Sequence, residues 1–537
     1  MNQSIQSIVD KVVPSLNLIQ DKVNEYVEKY LARSPPSQKT VVLGLSSAVS
    51  IYCLSKYIIY NLYLHPLRHI PGPPADWIPP FGNFREIVRS ESGAPHKRWA
   101  EKYGGMVLYH GEWNQPRVIV TDHKLLKQVL TTQEYDFIKT PATAKFLKRF
   151  LGNGLLVAEG EVHRFQRKIL NPAFSVQSIR SMVPLMAKPG LRLRDLWLET
   201  IKSSGKEFTE IEVSSGLSLA TLDVIGLAGF GQDLKSLEHA GTEKQSKLSQ
   251  AYLHIFSNDL SLMRILTLLF PALRFLPTER NRKTRQDLRW LEEESKALVQ
   301  AGIERAAVEK EDGKPKDLLA LMVNLIDDET GKGLTAEELR NQCLTFLAAG
   351  HETTSVSLSW CLWLLAQNQK IQDSLRKEVK TLFTSDDIPT YEEINALPLL
   401  TNVCRETLRL IPPVPVTSRI TRAPVVLGSY ALPKGTILFL SLIVNHHSKE
   451  IWGEDAEEFN PYRWETEKIG NAYQYLPFLA GGRQCIGYKF ALIEMKLLLA
   501  LLIKDIQYFE KPGFKVIKKQ QLTLRPAPNM TLWMKAA

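Results

Sequence analysis

A cysteine in a glycine-rich stretch near the C-terminus has the surroundings that most suggest chemistry. The stretch reads FLAGGRQCIG from Phe478 to Gly487, and the strongly helical pattern YKFALIEMKLLLALLI follows it directly. Cys485 is therefore expected at a helix entrance, where backbone N–H groups stabilise a thiolate and lower its pKa. A thiolate is a soft ligand that suits haem iron and favours cleavage of an O–O bond. The residues alone leave open the alternative of a small, buried and inert cysteine.

A second set of candidate residues lies within a long predicted helix. Thr335, followed three residues later by Glu338, matches a capping box and predicts a helix that runs to about Ala366. This helix contains AAGHETT, although glycine costs about 1 kcal/mol against alanine there and threonine is a weak helix former. A hydroxyl backed by a carboxylate, here Thr353 with Glu352, can hold a water that supplies protons. The alternative is that the threonine only bonds the preceding helical turn.

Charged residues form two further motifs. In ETLR, Glu406 and Arg409 lie three residues apart on one helical face, a spacing that usually marks a solvated ion pair. The segment FNPYRW, residues 459–464, contributes Arg463. Taken separately, neither motif assigns a function.

The four motifs together resemble those of the cytochrome P-450 family. Phe478, Gly481, Arg483, Cys485 and Gly487 fill every position of the family's FxxGxRxCxG haem-binding loop. The AGHETT, ExxR and FNPYRW segments occur in the family's order and at compatible distances. The resemblance covers the chain from about residue 71 to its end, and the pattern looks like that of fungal microsomal members. It implies haem b as cofactor and Cys485 as the axial thiolate ligand of its iron.

The resemblance also implies roles for the other motifs. Glu352 and Thr353 would be the acid and alcohol pair on the distal face of the haem, where they supply the protons needed to split dioxygen. Glu406, Arg409 and Arg463 would form a buried structural network that holds the region around the thiolate loop.

Haem propionates are carboxylates and call for arginine, whose planar fork suits bidentate contact. Arg483 in the loop is the first candidate for this contact. His163 and Arg167 in HRFQR fill the family's WxxxR motif, although this chain has histidine where tryptophan is usual. Arg419 is a further candidate, with surface exposure as the alternative. Phe478, Gly481 and Gly487 would complete the haem-binding loop.

The N-terminal part predicts a membrane anchor and a linker. Residues 41–64 are 24 residues with Lys56 as their only charge, long enough to cross a hydrocarbon core of about 30 Å. Several serines dilute this signal, so a buried or interfacial helix is the alternative. Residues 1–40 suggest an amphipathic or surface segment, and the proline-rich residues 65–80 predict an extended connector to a catalytic domain over 71–537.

Most of the chain after residue 90 has helical periodicity, and short β-like runs occur at 106–110, 117–121, 436–440 and near the C-terminus. We therefore predict a mainly α fold, a single large helical domain with a small β region. The formal net charge is +10, but the basic residues are scattered, so nucleic acid is excluded as a partner. Five widely spaced cysteines indicate a reducing compartment.

The resulting prediction is a membrane-bound haem-thiolate monooxygenase acting on a lipophilic substrate. A terpenoid or other secondary metabolite is favoured over a fatty acid or a xenobiotic. The resemblance implies an NADPH-dependent flavoprotein reductase as electron donor, with cytochrome b5 as a second candidate, and Lys489 and Lys496 as basic docking residues. The alternatives are a haem-thiolate isomerase or dehydratase and a non-catalytic haem sensor.

Such an enzyme would lie on the endoplasmic reticulum membrane with its catalytic domain facing the cytosol. The positive-inside rule instead places the N-terminus in the cytosol, because basic residues precede the apolar run and Arg68 is nearly alone after it. The preceding basic residues are Lys22, Lys29, Arg33 and Lys39. The two agree only if the first forty residues lie along the cytosolic surface and the run does not fully cross.

Overall fold

The computed structural model describes residues 22, 25, 38–75, 82–255, 273, 275–312, 317–383, 388–466 and 470–537. Most of the predicted surface segment 1–40 and residues 76–80 of the predicted linker lie outside the described residues. By its contacts the chain divides into two compact units, Met1–His65 and Pro66–Ala537.

An apolar helix dominates the described part of the first unit. It begins as the α-helix Gln38–Cys53 and continues in a wider π-helical form over Leu54–Leu64. The stretch Thr40–His69 is long and apolar enough to cross a membrane, with a mean hydropathy of 1.5 over its best window and none of that window buried. Large apolar side chains such as Leu43 and Ile51 stand exposed on it. This is compatible with a membrane anchor.

The start of the predicted linker is folded onto the second unit. Pro66–His69 form a turn of 3-10 helix, and residues 71–75 have no regular structure. Leu67 and Ile70 are buried, and the carbonyl of Pro71 accepts a hydrogen bond of 2.9 Å from the N–H of Leu108. The contacts of the body therefore begin at Pro66, five residues before the expected start, because two apolar side chains of the linker complete its core.

The body is mainly helical with a small β region, which confirms the fold class predicted from the sequence. The 32-residue helix Ala336–Gln367 passes through the interior, whereas the longer helix Glu279–Asp312 has many exposed residues. The helices of the body are Phe84–Arg89, Ala94–Tyr103, His123–Lys127, Pro141–Leu151, Gly160–Leu170, Val176–Ser204, Val213–Val224, Lys247–Ile255, Glu279–Asp312, Leu318–Val323, Ala336–Gln367, Gln369–Lys380, Tyr391–Asn395, Pro398–Leu410, Leu442–His446, Lys449–Trp452, Arg463–Thr466 and Tyr488–Ile503.

The strands of the described residues are β1 Met106–His110, β2 Pro116–Val120, β3 Phe137–Ile138, β4 Thr209–Glu212, β5 Val416–Thr421, β6 Val425–Leu427, β7 Tyr430–Leu432, β8 Ile437–Ser441, β9 Ile506–Glu510, β10 Ile517–Gln520, β11 Leu524–Ala527 and β12 Thr531–Ala536. They form one five-stranded sheet and three smaller sheets. The large sheet has the order β1-β2-β8-β5-β3, in which β2 and β8 are parallel and the other pairs are antiparallel. The smaller sheets are β4-β12-β9, β10-β11 and β6-β7. The predicted runs correspond to β1, β2 and β8 within one residue at each end.

The helix Ala336–Gln367, called the central helix below, is buried on nearly all sides. Its capping box forms as predicted, with Thr335 as N-cap and Glu338 bonding back to it. A Cβ at Gly350 would lie 3.2 Å from the Ile225 side chain, so glycine there permits a close approach that offsets its low helix propensity. A helix enclosed in this way carries its polar side chains into the interior, where each needs a partner.

Candidate active site

The FLAGGRQCIG segment forms a tight loop that glycine makes possible. Gly481 has a φ of 72°, and a Cβ there would lie 2.0 Å from the carbonyl oxygen of Leu130, so the position is closed to other residues. The N–H of Gly482 donates to Glu134 Oε2 at 2.8 Å. The N–H of Cys485 donates to the carbonyl of Phe478 at 2.9 Å, which closes the loop. Gly487, by contrast, has a negative φ and space for a Cβ.

Cys485 lies deep in the fold and yet keeps accessible surface, three residues before the helix Tyr488–Ile503. Burial raises the pKa of its thiol, and the Gly487 N–H and the Arg167 charge oppose this only in part. The expectation that the helix entrance lowers this pKa is therefore wrong. Desolvation of the thiolate outweighs the N–H group that reaches it. A coordinated metal deprotonates a thiol outright, so the protein itself does not need to stabilise the anion.

The helix Gly160–Leu170 places Arg167 and His163 beside this loop. Arg167 donates to the carbonyl of Gln484, next to the cysteine. His163 is buried, and burial together with the charges of Lys139 and Arg483 lowers its pKa to about 4. The imidazole is therefore neutral at pH 7.

Two of the predicted propionate-binding arginines face each other. Arg483 donates to Glu159 Oε2 at 2.6 Å and to the carbonyl of Glu134 at 2.9 Å, while its Nε is buried without a partner among the described residues. Arg419 is only 4% exposed, so the surface alternative for it is wrong. Its partners are Thr417 Oγ1 and the carbonyl of Ser418. Burial, and next the Arg483 charge, lower the pKa of Arg419 to about 10.

Lys139 is a third basic residue at this place, and no motif in the sequence indicates it. Its Nζ donates to the carbonyls of Leu155 and Ala158 at 3.2 and 2.7 Å. Burial lowers the pKa of its amine to about 7, with the Arg483 and Arg419 charges acting in the same direction and Glu159 against them.

The cation cluster, defined as Lys139, Arg419 and Arg483, surrounds the carboxylate of Glu159. Arg419 is buried, and Arg483 and Lys139 are partly buried. Because the amine of Lys139 has a pKa of about 7, it carries only part of a charge at pH 7, but one carboxylate still leaves the charge of the two arginines uncompensated. The Nε of Arg483 has no hydrogen-bond partner among the described residues. Such a cluster is stabilised by added anions. The two propionates of a haem fit this place, and the accessible thiol of Cys485 fits its iron.

The acid and alcohol of the central helix have separate partners. The carboxylate of Glu352 is 2% exposed and accepts hydrogen bonds from Arg525 Nε at 2.6 Å and Thr523 Oγ1 at 2.5 Å. Arg525 Nη2 also bonds Glu352 Oε2. The hydroxyl of Thr353 donates to the carbonyl of Ala349 at 2.8 Å. Thr353 thus makes the back-bond that the sequence left as an alternative.

A cavity with mostly apolar walls opens beside Glu352. Its walls come from the helix Pro141–Leu151, the end of the helix Lys247–Ile255 and the turn between β10 and β11. The described residues that line it are Phe146, Leu147, Phe150, Leu151, Ile255, Glu352, Gln521, Leu522 and Arg525. Apolar walls with a few placed polar groups are typical of sites for lipophilic molecules.

The structure brings Glu406, Arg409 and Arg463 together in the interior. Arg409 binds both carboxylate oxygens of Glu406 at 2.9 and 2.8 Å, and Arg463 Nε donates to Oε1 at 2.9 Å. Trp464 Nε1 donates to Oε2 at 3.0 Å. All three charged residues are nearly inaccessible. The ETLR spacing usually indicates a solvated ion pair, but here the pair of Glu406 and Arg409 is buried.

Lys496 does not lie on a docking surface. It is 6% exposed, and its Nζ donates to Asn395 Oδ1 at 2.8 Å inside the fold, so the expectation that it binds a partner is wrong. The helix Tyr488–Ile503 is buried on nearly all sides beyond its first turn, whereas Lys489 in that turn keeps part of its surface.

Sequence reasoning also missed the groups that bind the predicted site residues. Glu159, Thr523 and Arg525 stand in no recognised motif, and their partners are up to 324 positions away in the chain. A signal for Arg525 is its place in a β-strand near the chain end, since a half-buried arginine requires an acidic partner. Which acid it meets follows only from the tertiary fold.

Comparison with known proteins identifies the family. The cytochrome P450 family model matches residues 71–533. Cytochrome P450 monooxygenase 205 of Postia placenta is 36% identical, over 90% of this chain and 94% of its own length. Cytochrome P450 monooxygenase sphH of Aspergillus fumigatus is 31% identical, over 90% and 91%, and a cytokinin hydroxylase of Arabidopsis thaliana is 30% identical, over 81% and 82%. The chain therefore belongs to the cytochrome P450 family of monooxygenases, which hold haem b through a cysteine thiolate.

Proposed function

We propose that this P450 is a membrane-anchored monooxygenase that inserts one oxygen atom of O2 into a lipophilic substrate, with Cys485 as the residue whose thiolate would hold the haem iron. The observation that carries the proposal is the accessible thiol of Cys485 deep in the fold, beside an undercompensated cation cluster. Bound haem supplies the activation of dioxygen with two electrons and two protons, and the second oxygen atom leaves as water.

Two sets of residues are proposed to hold the haem: one set binds its propionates, and the other shapes the loop that carries the iron ligand Cys485. Arg483 and Arg419 would donate to the propionates, with Lys139 as a third basic group and the neutral His163 as a further donor. Arg167 orients the loop by holding the carbonyl of Gln484. Phe478, Gly481 and Gly487 shape the loop around the haem.

Proton delivery is assigned to Glu352 and Thr353. The hydroxyl of Thr353 would hold a water, and the carboxylate of Glu352 would connect that water to solvent. Both side chains now bond other protein groups, so delivery requires at least one of them to exchange its partner for water. General acid–base groups placed in this way contribute about 10²–10⁴-fold to a rate.

The electron donor is proposed to be an NADPH-dependent flavoprotein reductase, with cytochrome b5 as a possible second donor. Lys489 and the exposed Arg164 lie in the two helices that flank the thiolate loop. Basic side chains on these helices suit an acidic docking face on the reductase. The association of the two proteins should then weaken as the salt concentration rises.

The apolar N-terminal helix is proposed to anchor the enzyme in the endoplasmic reticulum membrane with the body in the cytosol. The sequence itself supplies a reporter, because sequons stand at Asn2 and Asn529. If the helix crosses fully, Asn2 is lumenal and is glycosylated while Asn529 is not. An unmodified Asn2, with an added lumenal control sequon modified in the same cells, would place the N-terminus on the cytosolic side.

The apolar side chains around the cavity support a lipophilic substrate, and a terpenoid or other secondary metabolite remains our choice of class. The test is co-expression with a reductase, incubation with a panel of terpenoids, fatty acids and aromatic compounds, and mass detection of added oxygen. Product should form with NADPH and should fall by at least about 100-fold in the double variant Thr353→Ala, Glu352→Ala. Unchanged turnover in that variant would contradict the assigned proton route. An isomerase or dehydratase would instead convert peroxides without reductase.

A further inference from the structure

The C-terminal hairpin holds the acid of the central helix in one orientation. The hairpin consists of β10 and β11 with the turn between them, and both Thr523 and Arg525 belong to its second half. Together they occupy both oxygens of the Glu352 carboxylate. Arg525 is 17% exposed and Glu352 is 2% exposed, so the pair is largely shielded from water. A bidentate arginine in such a place fixes geometry as well as charge.

This orientation keeps both carboxylate oxygens bonded to the hairpin, while the Thr353 hydroxyl bonds the carbonyl of Ala349. Rotation of Glu352 toward the site would expose a carboxylate without its cation in a low-dielectric interior, which is unfavourable. The partners of Glu352 therefore determine when the acid can act. Proton delivery thus depends on Thr523 and Arg525 as well as on the carboxylate of Glu352.

The same hairpin forms a wall of the cavity. Gln521 and Leu522, in the turn directly before Thr523, line the cavity together with Arg525 and Glu352. The hairpin is also tied to the central helix at Leu524, between Thr523 and Arg525, because Trp360 Nε1 donates to the carbonyl of Leu524 at 2.7 Å. A molecule in the cavity thus touches the segment that carries both partners of the acid, and the backbone of that segment is bonded to the central helix at Leu524.

We propose that Thr523 and Arg525 are positioning residues for proton delivery by Glu352, and that the hairpin turn couples occupancy of the cavity to the orientation of this acid. The inference rests on the proposed function, since it assumes that Glu352 delivers protons. Without a ligand, the hairpin keeps Glu352 bonded to Arg525. A ligand against Gln521 and Leu522 shifts Thr523 and Arg525 relative to Glu352 and frees one carboxylate oxygen to bind the water held by Thr353. Arg525 keeps its bond to the other oxygen and so continues to position the acid.

The test measures how much of the oxygen consumed is released as hydrogen peroxide, using full-length holoenzyme with reductase and NADPH. Oxygen that is consumed and not released as peroxide has had its O–O bond split, whatever product forms. The probe is farnesol, a neutral lipophilic alcohol that cannot compete with Glu352 for Arg525 by charge. The variants are Arg525→Met, Arg525→Lys and Arg525→Met combined with Glu352→Gln.

The split fraction is the share of consumed oxygen that is not released as peroxide. We expect farnesol to raise it in the wild-type enzyme but not in Arg525→Met. With farnesol present, Arg525→Met should lower this fraction by about 10- to 100-fold, the size of effect that misplacing a catalytic group has. Arg525→Lys should restore most of it. In the Glu352→Gln background, Arg525→Met should cause no further loss, because Arg525 acts through Glu352.

Trp360→Phe is the matched control, since it removes another bond between hairpin and central helix without touching Glu352. It should keep the farnesol response. Two results would overturn the inference and leave the hairpin a purely structural role. One is that Arg525→Met lowers the split fraction equally in the wild-type and the Glu352→Gln backgrounds. The other is that Trp360→Phe lowers the split fraction as much as Arg525→Met does. A wild-type enzyme that has the thiolate carbon monoxide spectrum but releases all oxygen as peroxide with every compound would refute the proposed function, and this inference with it.

Discussion

At the scale of single residues, the proposed site residues are held by partners far away in the chain, as Arg525 binds Glu352 and Glu159 binds Arg483. Cys485, Glu352 and Thr353 stand in short patterns whose spacing has a chemical meaning, so the sequence could single them out. Lys139, Glu159 and Arg525 have no such pattern, because each meets its partner across more than fifteen positions of chain. The expected low pKa of Cys485 was wrong for a related reason, since burial depends on the whole fold and outweighs the local helix entrance.

The cation cluster leads to a prediction about haem retention. Arg419→Met removes a buried guanidinium that has no carboxylate bonded to it in the described residues. A charge-assisted hydrogen bond contributes about 1.5–3 kcal/mol. If Arg419 binds a propionate, the variant should release haem about 10- to 100-fold faster, measured by haem transfer to an excess of apomyoglobin.

Arg376→Met is the matched control for Arg419. Arg376 is an equally buried arginine with backbone partners, the carbonyls of Ile503 and Ile506, in another part of the fold. Its loss should lower stability without changing the rate of haem release. Similar release rates in the two variants would mean that Arg419 does not contact haem.

At the scale of helices and strands, sequence reasoning succeeded where the signal is local. The capping box at Thr335 and the end of the central helix near Ala366 are confirmed, as are the runs that form β1, β2 and β8. The packing of the linker onto the body and of the C-terminal hairpin onto the central helix could not be predicted. Both depend on contacts between segments far apart in sequence, and apolar patterns do not specify which partner they meet.

The buried network of Glu406, Arg409 and Arg463 gives a prediction at this scale, because it ties the helix Pro398–Leu410 to the FNPYRW segment. Glu406→Gln keeps the shape of the side chain and removes its charge. The buried guanidinium of Arg409 then lacks its carboxylate partner and Arg463 keeps only Asp455, so the free energy of unfolding should fall by about 3–5 kcal/mol. Denaturant unfolding followed by circular dichroism measures this loss.

The exposed pair Arg98–Glu86 provides the comparison for this measurement. Glu86→Gln should change the free energy of unfolding by no more than about 1 kcal/mol, because solvent screens an ion pair at the surface. A loss from Glu406→Gln as small as that from Glu86→Gln would show that the network does not hold the fold together.

At the scale of the whole molecule, buried neutral histidines determine how stability responds to acid. Burial lowers the pKa of His96 and His351 to about 4 and that of His446 and His447 to about 3. Each binds a proton more weakly in the folded chain than in the unfolded chain, whose value is near 6.5. The folded state therefore loses stability as the pH falls below 6.5, down to the folded pKa values.

His96 allows this to be measured, because it packs against Trp99 and Tyr109 away from the thiolate loop. Between pH 7 and pH 5 the wild-type enzyme should lose about 2 kcal/mol more unfolding free energy than His96→Gln, since pH 5 lies 1.5 units below the unfolded pKa. Denaturant titrations of both proteins at the two pH values test this. Parallel losses in both would mean that His96 titrates normally in the folded chain.

The most direct test of the whole account is the absorption spectrum of the reduced carbon monoxide complex. A thiolate ligand gives this complex a characteristic Soret position, so wild-type holoenzyme should show it and Cys485→His should move the band to the position typical of an imidazole ligand. Haem content and circular dichroism confirm that the variant is loaded and folded. A band that stays at the thiolate position in Cys485→His would contradict the assignment of Cys485 as the iron ligand.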